Sequence, residues 1–155
     1  MKILFLDLDE TLIIDWDNIV PIRENLDRIH NFIVQEQISE AYIFSASIWT
    51  EEERLFFQNN IEPVISPYLG DIHLIPLLFK DIFSTIVKEH KLHVEPSDFN
   101  DLFVFNTKMQ PFIEWCKIKK KGSTCVLFDD IVDNSVVQFP DLDLTIEFKK
   151  IEVTK

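Results

Sequence analysis

The sequence predicts an α/β fold, a Rossmann-like three-layer sandwich with a mostly parallel central sheet of about five strands and a small helical insertion. Short apolar runs alternate along the chain with segments of helical periodicity, which is the pattern of strand–helix–strand units. Three of these runs are almost continuously apolar, as expected for parallel strands covered on both faces. The 155 residues, 46% of them hydrophobic, can form one domain with a packed core.

Four segments have the character of strands: residues 2–6, 41–44, 124–128 and 142–148. The first three are nearly continuous apolar runs, whereas residues 142–148 alternate between apolar and polar side chains. Because alternation indicates a strand with one covered face, we expect residues 142–148 to form an edge strand. Residues 102–105 are a fifth candidate.

Helical patterns separate the strands at residues 23–35, 51–59, 77–90 and 111–120. Thr50 and Glu53 have the spacing of a capping box at the start of the second helix. Pro111 stands in the first turn of the last helix, where proline is well tolerated. We interpret residues 1–155 as a single domain in which residues 61–101 form a helical cover or specificity insertion, or else an oligomer surface.

The charge balance and the absence of long apolar stretches limit the possible partners. A net charge of −12 disfavours intact nucleic acid, whose binding requires several phosphates to be neutralised. A small phosphate ester remains possible if a cation reverses the local charge. No stretch approaches the roughly 18 apolar residues of a membrane helix and no signal peptide is apparent, so we expect a cytoplasmic protein without a membrane partner.

The most informative segment is the acidic run Asp7, Asp9 and Glu10, which follows the apolar strand 2–6 directly. Ligands bind at the carboxyl ends of strands in such sheets, and neighbouring carboxylates there favour a cation between them. Asp7 could attack a phosphorus atom, while Asp9 could protonate the leaving oxygen and then activate water. The alternative interpretation is a solvated acidic turn, but the two aspartates directly after a pure apolar strand favour catalysis.

The motif Asp7-Leu8-Asp9-Glu10-Thr11-Leu12 resembles the first motif of the haloacid dehalogenase superfamily, and especially that of its carboxy-terminal-domain protein phosphatases. The resemblance implies that Asp7 is the nucleophile and Asp9 the general acid/base. It also implies that Asp7 and the main-chain carbonyl of Asp9 bind a metal, and that Thr11 supports the loop. The second aspartate points to phosphatase or phosphotransferase chemistry, because the family's dehalogenases lack it and its transport ATPases typically have threonine there.

The same resemblance suggests the residues that would contact the phosphoryl group. Ser45, at the end of the strand 41–44, matches the family's second motif, with Ser47 as the alternative. Lys108, before the helix that begins near Pro111, matches the lysine of the third motif. The other candidates are the lysines at positions 117, 119, 120 and 121, which have the pattern of a solvated helix end.

The fourth family motif matches the second acidic strand end, where Asp129 and Asp130 follow the run 124–128. The resemblance implies that Asp130 binds the metal directly, whereas Asp129 lies closer to Lys108. Asp133 and Asn134 stand where the family often has an outer group that supports the metal site. Oxygen ligands of this kind suit Mg²⁺.

These residues predict a Mg²⁺-dependent phosphomonoesterase that works through an aspartyl-phosphate. Its substrate would be a small phosphorylated metabolite, a nucleotide or a phosphorylated polymer end, and Trp16 is a candidate substrate contact. The alternatives are a phosphotransferase and a non-catalytic binding or regulatory module of the same fold. The sequence does not specify the oligomeric state.

Overall fold

A six-stranded sheet forms the centre of the computed structural model, which describes residues 2–90, 109–130 and 132–151. Its strands run in the spatial order β3-β2-β1-β4-β6-β5. Five of the strands are parallel, and β5 at one edge pairs antiparallel with β6. The strands are β1 (Lys2–Leu6), β2 (Glu40–Ile43), β3 (His73–Pro76), β4 (Thr124–Asp129), β5 (Ser135–Phe139) and β6 (Leu144–Lys150).

The four predicted helices are confirmed with shifted ends, whereas residues 62–69 and 140–142 form helical segments that the sequence analysis did not predict as separate elements. They are α1 (Arg23–Glu36), α2 (Glu51–Phe56), a π-helix (Phe57–Ile61), α3 (Glu62–Leu69), α4 (Phe79–His90), α5 (Met109–Lys119) and a 3-10 turn (Pro140–Leu142). The capping box is confirmed, since the Thr50 backbone N–H donates to the Glu53 carboxylate over 3.3 Å. Among the described residues, no helix has both the length and the apolar character needed to cross a bilayer.

Each face of the sheet has its own apolar cluster. Leu4 and Leu6 of β1 point to the cluster that contains buried side chains of α1 and α3. Phe5, between them, points to the cluster formed with α4 and α5. This reversal follows from the period of two along a strand. The α/β class with a mostly parallel sheet is therefore confirmed, although the sheet has six strands.

Two strand predictions need correction. Residues 73–76, inside the stretch interpreted as a helical insertion, form β3 and pair with β2, so this part of the insertion belongs to the sheet. The prediction that residues 142–148 form an edge strand is wrong, because β6 lies between β4 and β5. The edge strand on that side of the sheet is β5, which the sequence analysis did not identify. The candidate strand 102–105 lies outside the described residues.

The order of the strands reverses between β1 and β4. The chain leaves β1 towards β2 and β3 on one side, and β4 returns to the other side of β1. The register pairs Leu6 with Phe128, so the two strands end at the same level. Such a reversal opens a crevice at the carboxyl ends of the strands, where ligands bind in open α/β sheets.

Candidate active site

The end of β1 is a tight turn that holds a nearly buried carboxylate. Asp7 is only 7% exposed, and its backbone N–H donates to the Phe128 carbonyl over 3.0 Å. The amides of the next turn, including that of Leu12, donate back to the Leu8 carbonyl. This turn brings Thr11 back over β1, where its hydroxyl donates to Oδ2 of Asp7 over 3.1 Å. Thr11 therefore fixes the carboxylate, as well as supporting the loop.

A second polar residue, Asn25 of α1, supports this turn and was missed by the sequence analysis. Asn25 is completely buried, and its side-chain Nδ2 donates to the Thr11 carbonyl over 3.0 Å. The available signal was a polar residue beside the apolar positions of the predicted helix, which is ambiguous because such residues are usually exposed. The contact connects α1 to Asp7 through Thr11.

The end of β4 supplies two further carboxylates. Asp129 is completely buried and Asp130 is half-buried. One carboxylate oxygen from each of Asp7, Asp129 and Asp130 lies within 4.8 Å of the other two. The two acidic strand ends thus meet, as the sequence analysis predicts.

The close approach of these carboxyl groups changes the acidity of Asp130. Burial raises the pKa of Asp130 from 3.8 to about 8, together with a hydrogen bond to Asp7 and the negative charge of Asp7. A hydrogen bond to Glu10 and the charge of Asp129 make smaller contributions to the same rise in pKa. Glu10 has a left-handed backbone conformation with φ of 61°. It is a further neighbour of the cluster that the sequence analysis did not assign to the site.

A divalent cation fits this group of residues. Three hard carboxylate oxygens converge, which is the donor type that Mg²⁺ prefers. Burial is the main cause of the raised pKa of Asp130, and the negative charge of its neighbours, which a cation would offset, adds to it. Asp129, which the sequence analysis placed near Lys108, contributes to the same cluster as Asp130.

Asp9 and Asp7 accept hydrogen bonds from different hydroxyl groups, Asp9 from Ser47 and Asp7 from Thr11. The Ser47 hydroxyl donates to Oδ2 of Asp9 over 2.6 Å. Oδ1 of Asp9 is buried and accepts no hydrogen bond within the described part of the chain. Ser45 is buried as well, and its Oγ accepts the Ser47 backbone N–H over 3.3 Å. The two serines that follow β2 therefore lie beside the proposed acid/base.

The remaining candidate residues have contacts elsewhere or lie outside the described residues. Asp133 is exposed, and its main-chain carbonyl accepts a hydrogen bond from Ser135. The side chain of Asn134 accepts the Lys150 backbone N–H over 2.8 Å, so it holds the end of β6. Trp16 stacks on Phe56. Lys108 lies outside the described residues, so its predicted role stays a prediction.

Comparison with known proteins adds no functional assignment. No family model, curated protein or solved structure matches the chain. The resemblance of the motif around Asp7 therefore stands as a hypothesis, and the arrangement of the described residues carries the functional argument.

Proposed function

We propose that this chain is a Mg²⁺-dependent phosphomonoesterase of the haloacid dehalogenase type, with Asp7 as nucleophile. The observation that carries the proposal is the convergence of Asp7, Asp129 and Asp130 at the ends of two neighbouring parallel strands. Two acidic strand ends that meet at a topological switch point are costly in a small sheet unless they bind a ligand.

The metal-binding residues would be Asp7, Asp129 and Asp130. When bound, Mg²⁺ would offset the charge of the carboxylates and of the substrate phosphate. The negative net charge of the protein makes this compensation necessary for binding an anionic ester.

Asp7 starts the proposed reaction. Its carboxylate attacks phosphorus, the bond from phosphorus to the leaving oxygen breaks, and an aspartyl-phosphate forms. The Thr11 hydroxyl, which donates to Oδ2, limits rotation of the carboxylate during this attack. Asn25 limits movement of Thr11 in turn through its bond to the Thr11 carbonyl.

Asp9 carries the proton in both halves of the reaction. It donates a proton to the leaving oxygen, so the product is a neutral alcohol. It then removes a proton from water, which attacks phosphorus, breaks the bond to Asp7 and releases inorganic phosphate. The Ser47 hydroxyl on Oδ2 would orient Asp9, and Oδ1, which has no hydrogen-bond partner among the described residues, would carry the reacting proton.

Ser45 and Lys108 complete the proposed site by analogy with the family motifs. Ser45 would donate to a phosphoryl oxygen, and Lys108 would offset the charge of the nucleophile and the phosphate. The substrate class is a small phosphorylated metabolite, a nucleotide or the phosphorylated end of a polymer.

Phosphate release from p-nitrophenyl phosphate, measured with Mg²⁺ and with a chelator, tests the proposal. We expect Mg²⁺-dependent turnover in the wild type and a loss of about 10³-fold or more in Asp7→Asn. Asp27→Asn is the matched control, because Asp27 is an exposed aspartate on α1. Its turnover should equal that of the wild type.

The same assay separates the alternatives. If added alcohols yield new phosphate esters at the expense of inorganic phosphate, the chain is a phosphotransferase that uses the same intermediate. If Mg²⁺ binds but no phosphate ester in a broad panel is turned over, hydrolysis is refuted in favour of a binding or regulatory module.

A further inference from the structure

A short hairpin projects from the loop that carries the proposed catalytic residues. Ile13 and Pro21 form an antiparallel bridge, and the backbone N–H of Ile14 donates to the Val20 carbonyl over 3.0 Å. Ile13 is also bridged to Asp9. Residues 13–21, called the tip hairpin below, are therefore tied at their base to the proposed acid/base.

The tip hairpin meets the end of α2 through an aromatic contact. The Trp16 ring stacks on Phe56 with centroids 4.9 Å apart and planes 30° apart. The hydrogen bond from Ser47 to Asp9 joins the segment that precedes α2 to the segment that precedes the tip hairpin. Two contacts therefore connect the region after β1 with the region after β2.

Exposed apolar side chains are concentrated on these two stretches. Four of the six large hydrophobic side chains that are exposed in the described residues lie there, each between 37% and 52% exposed. They are Ile14 and Val20 of the tip hairpin, and Leu55 and Phe56 of α2. An exposed apolar patch beside a site indicates a surface that contacts a ligand.

The proposed chemistry specifies which part of a substrate would reach this patch. A general acid must lie within hydrogen-bond reach of the leaving oxygen, so the alcohol part of the ester extends from Asp9. Trp16 lies three residues beyond Ile13, on the hairpin whose base is bridged to Asp9.

We propose that Trp16 and Phe56 form an aromatic subsite for a planar ring on the alcohol part of the substrate. The proposal rests on the proposed function, since it assigns the leaving-group side from the role of Asp9. Aromatic faces bind planar rings by stacking, and this needs no added charge in a strongly acidic protein. The ring can belong to a nucleoside or to a simple aryl alcohol.

Steady-state kinetics with three substrates tests the subsite: a nucleoside 5′-monophosphate, phenyl phosphate and the ring-free glycerol phosphate. We expect Trp16→Ala to raise KM for a ring-bearing substrate about tenfold, the size of one stacking contact, with kcat nearly unchanged. KM for glycerol phosphate should not change. Trp16→Phe should restore most of the affinity, because it keeps a ring.

The pattern of the response identifies the ring. If KM rises for the nucleotide alone, the subsite binds a nucleoside. If KM rises for phenyl phosphate alone or for both substrates, any aromatic ring on the alcohol is sufficient. Val136→Ala, which trims an exposed apolar residue on β5, is the control and should behave like the wild type. If Trp16→Ala fails to fold, Phe56→Leu carries the same expectation, because it removes the second ring but keeps an apolar side chain.

The two proposals fail in different ways. If the wild type turns over all three esters and the variants leave every KM unchanged, or raise all three equally, the subsite is refuted while the phosphatase stands. If the wild type turns over no ester with Mg²⁺, the proposed function itself is refuted, and the subsite with it.

Discussion

The two acidic strand ends of the sheet differ in how their carboxylates are held. At the end of β1, Asp7 accepts a hydrogen bond from Thr11, which is itself held by Asn25. At the end of β4, Asp130 is hydrogen-bonded to other acids, and its pKa is raised to about 8. The first end is organised by hydrogen-bond donors, whereas the second gathers negative charge.

This difference suggests that the β1 end positions the nucleophile and that the β4 end mainly binds the cation. A nucleophile benefits from fixed geometry, because small displacements from the attacking position reduce the rate strongly. A cation site benefits from clustered carboxylates, whose mutual repulsion in the free protein is relieved by the ion. We therefore expect loss of the Thr11 hydroxyl at the β1 end to change turnover, and substitutions at the β4 end to change mainly metal affinity.

Asp130→Asn should separate the two strand ends most clearly. It removes one charge from the cluster, so we expect Mg²⁺ affinity to fall by about 100-fold, since even outer metal-site partners account for 10- to 100-fold. Turnover should recover in part at high Mg²⁺ concentration, whereas turnover of Asp7→Asn should not. Mg²⁺ titrations of activity measure both effects, and an unchanged Mg²⁺ requirement in Asp130→Asn would contradict the assignment.

Loss of the Thr11 hydroxyl tests the geometric role of the β1 end. Thr11→Val keeps the shape of the buried side chain but removes the donor to Asp7. A hydrogen bond to a charged group contributes about 1.5–3 kcal/mol, so we expect kcat to fall about tenfold or more. Thr11→Ser, which keeps a hydroxyl, should retain most of the activity, and Mg²⁺ affinity should change little in either variant.

The pH dependence of metal binding tests the electrostatic role of the β4 end. Below pH 8 a metal must displace the proton of Asp130, so Mg²⁺ affinity should rise about tenfold per pH unit and level off above pH 8. Calorimetric Mg²⁺ titrations in buffers between pH 6 and 9 measure this rise. Asp130→Asn should flatten it, and a slope that persists in that variant would exclude Asp130 as the source.

The same carboxyl group affects stability without metal. Its pKa in the folded protein, about 8, lies above the ordinary value of 3.8, so the folded state binds the proton more tightly. The stabilisation of the folded state by the protonated Asp130 is therefore fully present below about pH 4 and is lost as the pH rises through 8. Saturating Mg²⁺ should counteract this loss, as thermal melts across the pH range would show.

Replacement of Asn25 should have the smallest effect on chemistry and a measurable effect on folding. Asn25→Ala removes a buried hydrogen bond to the Thr11 carbonyl, so we expect the free energy of unfolding to fall by about 1–3 kcal/mol. Asn31→Ala, at an exposed position of the same helix, is the matched control and should change stability by less than about 0.5 kcal/mol. Denaturant unfolding measures both.

The sequence predicts the centre of the sheet better than its margins. β1, β2 and β4 are apolar almost throughout, because both faces are covered, and such runs are easily recognised. β3 begins with His73 and ends at Pro76, so only Leu74 and Ile75 form its apolar pattern, which is weak. β6 alternates because Thr145 and Glu147 on one face are only half-buried, a pattern that resembles an edge strand although β5 lies beyond it.

For the candidate site, the sequence predicts which strand ends meet but not which side chains touch. Asp7, Asp129 and Asp130 follow β1 and β4, and neighbouring parallel strands bring their carboxyl ends together. The bonds from Ser47 to Asp9 and from Asn25 to Thr11 join residues 38 and 14 positions apart. Such contacts depend on loop paths that spacing in the sequence does not specify.

The π-helix Phe57–Ile61 has a consequence for how α2 faces the tip hairpin. A π-turn adds one residue to a helix, and one residue corresponds to a rotation of about 100° around the axis. Deleting Asn59 would therefore preserve the core positions Ile61 and Ile65 but rotate α2, and Phe56 would turn away from Trp16. The extra residue thus sets the direction in which Phe56 points, while the packing of α3 against the core stays the same.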